Sequence, residues 1–99
     1  MSRIFTYLVV DAPGVPQKVV VWDTLDITIG RGADQDLTVE DPEVSRQHAI
    51  FQLENQSFAV ADLHTSNGTF VNGSRIGDAR LLRPGDVIRV GQSDFRVET

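Results

Sequence analysis

The chain has 99 residues, of which 40% are hydrophobic and 23% charged, with no cysteine and a formal net charge of −5. That length holds one core and one domain, not two. The missing cysteines exclude a disulfide framework and thiolate metal sites, and an acidic balance makes a poor footprint for nucleic acid.

The opening Met-Ser-Arg-Ile-Phe-Thr-Tyr has neither the apolar run nor the small-residue cleavage site of a signal peptide. No segment approaches the ~20 apolar residues that a membrane helix needs. The expectation is therefore a cytoplasmic protein with no membrane or nucleic-acid partner, no cofactor and no metal. All nine basic residues except Lys18 are arginine, the residue that forks onto phosphate and carboxylate.

In chain order, residues 3–10 (RIFTYLVV) read as a strand, closed by a turn at Pro13-Gly14. Residues 17–22 (QKVVVW) and 26–30 (DITIG) follow, with Ile27 and Ile29 on one face. Residues 45–56 lack Gly and Pro and are open to two readings. One is a helix capped by Ser45. The other, favoured by the alternation of Ala49, Phe51 and Leu53, is a strand. Phe58 and Val60 alternate in 57–62, a hairpin partner across Glu54-Asn55-Gln56. Val71-Asn72-Gly73-Ser74 predicts a type I′ hairpin and Pro84-Gly85 a type II turn. Ile88 with Val90, then Phe95 with Val97, complete a series of short strands typical of a sandwich or barrel.

Five short elements stand out: Gly30-Arg31, Ser45-Arg46-Gln47-His48, Asp62, Ser66-Asn67-Gly68-Thr69 and Asn72-Gly73. All but Asp62 fall at strand ends or in predicted loops. Each has a plain reading. Arg31 is a solvated charge after a strand, Ser45 a cap, and His48 a buried imidazole bonded to backbone. The Asn-Gly pairs are turns, and Asp62 bonds loop amides. Loops at one end of a sandwich converge, however. Together these residues offer an arginine fork and serine hydroxyls, which suit a phosphate with roughly two negative charges and three acceptor oxygens.

The order G-R, S-x-x-H, D-x-x-x-S-N-G-T-x-x-N-G, P-G-D-x-I resembles the forkhead-associated domain family. The resemblance covers about residues 26–97 of a single domain spanning 1–99. It implies an all-β, single-domain antiparallel β-sandwich of about eleven short strands with binding loops at one end. It also implies a non-enzymatic module that recognises phosphothreonine-containing protein segments and mediates phosphorylation-dependent interaction, with room for other domains in a larger chain. By that likeness Arg31 pairs with the phosphate, Ser45, Arg46 and Ser66 contact it, and Asn67 bonds the peptide backbone. Gly30, His48, Gly68, Asn72 and Gly73 then support the loops.

A phospho-independent scaffold would share the fold. A hydrolase would use Ser45, His48 and Asp62, although no G-x-S-x-G elbow is present. The run Asp34, Asp36, Glu40, Asp41, Glu43 lacks the glycine and terminal glutamate of an EF-hand calcium loop. Its charge disfavours acidic residues downstream of a bound phosphothreonine. A nucleic-acid or carbohydrate barrel needs exposed aromatic platforms, and most aromatics here lie within predicted strands.

Overall fold

The computed structural model describes residues 6–23, 26–54 and 57–99, which form eleven strands and no helix. They are β1 (Thr6–Asp11), β2 (Lys18–Trp22), β3 (Asp26–Gly30), β4 (Leu37–Thr38), β5 (Ala49–Glu54), β6 (Ser57–Asp62), β7 (Thr69–Val71), β8 (Ser74–Arg75), β9 (Ala79–Leu81), β10 (Val87–Val90) and β11 (Ser93–Glu98). One sheet runs β2-β1-β11-β10-β7-β8 and the other β4-β3-β5-β6-β9. Residues 3–5 of the first predicted strand and the turn at Asn55-Gln56 lie outside the described residues.

The alternating apolar positions face each other across the two sheets. Ile27, Ile29, Ala49, Phe51 and Val60 from one sheet meet Leu8, Ile88, Val90, Phe95 and Val97 from the other, all of them buried. Edge-on aromatic contacts link Trp22 to Phe51 at 5.3 Å and Phe51 to Phe95 at 5.8 Å, tying the sheets through the centre. Each such side chain contributes roughly 1.5–3 kcal/mol on burial. The helical reading of 45–56 does not hold: residues 45–48 are loop, and β5 takes the alternating part.

One pair departs from the expected antiparallel pattern. β3 and β4 run parallel, with Ile29 opposite Leu37 and Gly30 opposite Thr38. A parallel pair normally needs a long crossover. Here residues 31–36 double back along β3, and Asp36 clamps the return. Its carboxylate accepts from the Thr28 N–H at 2.9 Å and the Thr28 hydroxyl at 3.1 Å. β4 therefore leaves in the direction of β3, and the pairing stops after two residues.

The turns follow backbone chemistry. Asn72 (φ 51°) and Gly73 (φ 86°) are both left-handed, as a type I′ turn requires. Gly85 (φ 92°) follows Pro84, and the Asp86 N–H closes on the Arg83 carbonyl at 3.0 Å, giving the type II turn. Ile29 pairs with Ala49, and Ala49 with Asp62. That register brings the end of β3, the start of β5 and the end of β6 together. The connections 31–36, 39–48 and 63–68 thus emerge at one end of the sandwich.

Candidate functional site

Backbone bonds stitch the first two of these connections to each other. The Arg31 N–H donates to the Ser45 carbonyl at 2.9 Å, and the Gly32 N–H to the Arg46 carbonyl at 3.1 Å. The approach is so close that a Cβ on Gly30 would lie 2.1 Å from the Arg46 carbonyl oxygen. Contact with that backbone, which has no room to retreat, demands glycine at position 30.

Arg31 is exposed, and its Nε donates to the Val44 carbonyl at 3.0 Å. That bond fixes the guanidinium plane and leaves the two terminal amines available. Among the described residues no carboxylate pairs with Arg31 or Arg46, and the Ser45 and Ser66 hydroxyls have no protein partner. This end of the molecule therefore holds unmatched donors, although the whole chain is acidic. Only the local field needs to be positive for an anion to settle there.

The third connection is bound to the second by two side chains. Asn67 Nδ2 donates to the Glu43 carbonyl at 2.7 Å, leaving its Oδ1 for a ligand N–H. His48 is fully buried. Its Nδ1 accepts from the Ser45 N–H at 3.0 Å, and its Nε2 stands 2.9 Å from the Gly68 carbonyl. An N–H on one side and a carbonyl on the other dictate the neutral tautomer with hydrogen on Nε2.

Asp62 organises the same loop from within. One carboxylate oxygen accepts the hydroxyls of Thr65 at 2.7 Å and Thr69 at 2.8 Å, and the other the Thr65 N–H at 3.0 Å. The Thr65 hydroxyl in turn accepts from the Gly68 N–H at 3.0 Å. Burial disfavours the charge on Asp62, but these three donors outweigh it and hold its pKa below the usual carboxylate value. Asp41 is also held low, by the Glu43 and Gln92 amides that donate to it.

A folded-state pKa below the unfolded one contributes stability above about pH 4 and loses it as pH falls through the folded value. Thermal melts should therefore stay level on the neutral side and drop below about pH 4. Asp62→Asn should cost about 2 kcal/mol at neutral pH, because its amide nitrogen would face donors. The gap to the natural protein should close in acid. A gap that stays constant down to about pH 2.5 would contradict this role for the carboxylate.

Of the residues singled out in the sequence, Arg31, Ser45, Arg46, Ser66 and Asn67 are carried on the stitched loops. Gly30, His48 and Gly68 do the stitching. Asn72 and Gly73 sit at the far end of β7. There Asn72 donates to Asp86 at 2.9 Å and accepts from the Val87 N–H at 3.0 Å, bracing the Pro84-Gly85 turn. The hydrolase arrangement is not assembled. His48 binds the Ser45 amide, not its hydroxyl, and the Asp62 oxygens are held by threonines. The acidic run does not converge on one point either: Asp36 clamps Thr28, while Asp41 holds backbone amides.

Two residues of the site escaped the sequence reading. Thr65 had a usable signal, since Asp three residues before Thr is a turn-closing pattern. Arg75 had none. It reaches back from β8 to donate to the Thr65 carbonyl at 3.2 Å and the Ser66 carbonyl at 3.1 Å. Its side chain lies where a Cβ on Gly68 would come within 2.6 Å and would have to shift, and Gly68 has φ +87°, the backbone conformation that calls for glycine there.

The FHA domain family model matches residues 27–91. The glycogen accumulation regulator GarA of Mycobacterium tuberculosis is 43% identical over 63 residues, covering 64% of this chain and 38% of that protein. This chain thus spans well under half the length of that relative. A solved structure concerned with phosphothreonine-dependent FHA domain interactions superposes with a TM-score of 0.84 at 31% identity, covering 97% of each chain. Mycobacterium tuberculosis EmbR in complex with a low-affinity phosphopeptide gives 0.85 at 31% identity, covering 95% of this chain and 24% of that one. A sandwich with this strand order, this loop stitching and these matches belongs to the FHA domain family.

Proposed function

We propose that this chain is a non-enzymatic module that binds phosphothreonine-containing protein segments and so makes a protein interaction depend on phosphorylation. One observation carries the reading. The Arg31 fork is oriented by Val44 but unpaired by any described carboxylate, on loops that also present the free Ser45 and Ser66 hydroxyls. A phosphate dianion supplies the acceptors these donors lack. In this reading Arg31, Ser45, Arg46 and Ser66 contact the phosphate, and Asn67 Oδ1 takes a peptide N–H. Phosphothreonine and phosphopeptide complexes of similar domains support the choice of ligand. In this reading residues 1–99 act as one binding domain in the cytoplasm, alone or beside other domains of a longer chain.

A short peptide on loops should bind with a Kd in the micromolar range, about −8 kcal/mol. Calorimetric titration with a phosphothreonine peptide, its phosphoserine twin and the unphosphorylated form tests the proposal. The first should bind most tightly and the last negligibly. Equal affinities for all three would overturn it and favour a phosphate-independent scaffold.

A further inference from the structure

A groove of about 750 Å³ opens beside the anion site, on the other side of the 41–44 segment. Its floor is core side chains, Val10, Leu37, Val39 and Phe95, and its far wall is the β1–β2 turn. That turn is rigid. Pro13 precedes Gly14 (φ 78°), the Val15 N–H closes on the Ala12 carbonyl, and Pro16 follows. The turn holds Val15 at the rim with 59% of its surface exposed. A preformed apolar wall needs little ordering when a ligand arrives.

The groove has two further properties. Its rim carries Glu40, Asp41 and Glu43 against a single cation, Lys18. Asp41 is pinned in place by the Gln92 and Glu43 amides, so its charge stays at the rim. The groove and the anion site also share one wall. Glu43 lines the groove with its side, while its carbonyl receives Asn67 from the anion-site loop. Beyond the groove the five-stranded sheet ends at β4, so among the described residues no further strand closes it on that side.

We propose that this groove receives a second stretch of the phosphorylated partner, an apolar side chain with an arginine or lysine beside it. The inference rests on the phosphothreonine reading above. The partner crosses the 41–44 segment in extended form, with its phosphate held by Arg31 and its apolar residue seated between Val15 and Val39. The acidic rim matches the basic neighbour. Selection for partner sequence then comes from the β1–β2 turn, an element remote in sequence from the phosphate loops.

The test is a library of peptides with one fixed phosphothreonine and degenerate flanks on both sides. Aliphatic or aromatic residues adjacent to Arg or Lys should be enriched at one fixed offset. The selected long peptide should bind about tenfold more tightly than its core of seven residues. Val15→Asp and Glu40→Arg should each remove that gain, yet bind the short phosphopeptide as the natural protein does. Both positions are exposed, so the variants should fold, and thermal melts check that they do. A long peptide that gains nothing, or that binds Val15→Asp undiminished, overturns the groove proposal alone. Loss of phosphate dependence in the short peptide overturns the parent reading and this inference with it.

Discussion

Arg31→Ala is expected to weaken binding of a phosphothreonine peptide by between about thirtyfold and a few thousandfold. That corresponds to roughly 2–5 kcal/mol, the range for truncating one member of a hydrogen-bonded charge pair. The residue is exposed, and the one hydrogen bond its side chain makes among the described residues, to the Val44 carbonyl, is worth about 1 kcal/mol to folding. The loss should therefore fall on affinity and barely on the melting temperature. Arg31→Lys separates charge from geometry. A lysine keeps the positive charge but cannot hold Val44 and fork onto two phosphate oxygens at once. It should recover only part of the affinity. Ser45→Ala and Ser66→Ala each remove a neutral donor and should cost about 1 kcal/mol apiece. Titration of all four variants with the same peptide checks the order. An Arg31→Ala protein that binds within threefold of the natural one would remove the arginine from the phosphate.

Much of this fold was legible because burial writes a period of two into the sequence. Ile27 with Ile29, Ala49 with Phe51, Ile88 with Val90 and Phe95 with Val97 alternate for one reason: one face of each strand meets the opposite sheet. The hairpin at Asn72-Gly73 was legible because two consecutive left-handed residues admit few side chains. By contrast, β4, β8 and β9 have two or three residues each, too short to show any period, and β8 and β9 are exposed throughout. The parallel turn-back into β4 depends on Asp36 reaching Thr28, a contact that local propensity does not encode. The site divides in the same way. Arg31 and Ser45, each explicable alone as a solvated charge and a cap, stood out only through the ordered set of turn and hydroxyl residues they belong to. Arg75 did not, because its role comes from the β7–β8 hairpin folding it back onto a loop nine residues upstream. The acidic run, which already lacked the spacing of a calcium loop, is divided in the structure between Asp36 on Thr28 and Asp41 on the Glu43 and Gln92 amides.

His48→Ala should be the most damaging single change to stability among the loop residues. The imidazole is fully buried and joins the 39–48 and 63–68 connections: it accepts from the Ser45 amide and contacts the Gly68 carbonyl. Truncation leaves a cavity and two backbone groups without partners, a buried one at Gly68 and a half-buried one at Ser45. The cavity alone costs about 2 kcal/mol or more, and each orphaned group about 1–3 kcal/mol. A total of about 4 kcal/mol would lower the melting temperature of a domain this size by roughly 15–30 °C. His48→Asn distinguishes packing from hydrogen bonding. Its Oδ1 can replace Nδ1 as the acceptor for the Ser45 amide, but its shorter side chain cannot reach Gly68. The asparagine variant should therefore sit between the natural protein and alanine in stability. Its affinity should fall as well, because Ser45 is then held while the Ser66-Asn67 loop is released at one end. Thermal melts and peptide titration on the two variants separate these effects. Equal melting temperatures for His48→Asn and His48→Ala would mean that the Ser45 bond contributes nothing, and that His48 acts through volume and its contact with Gly68.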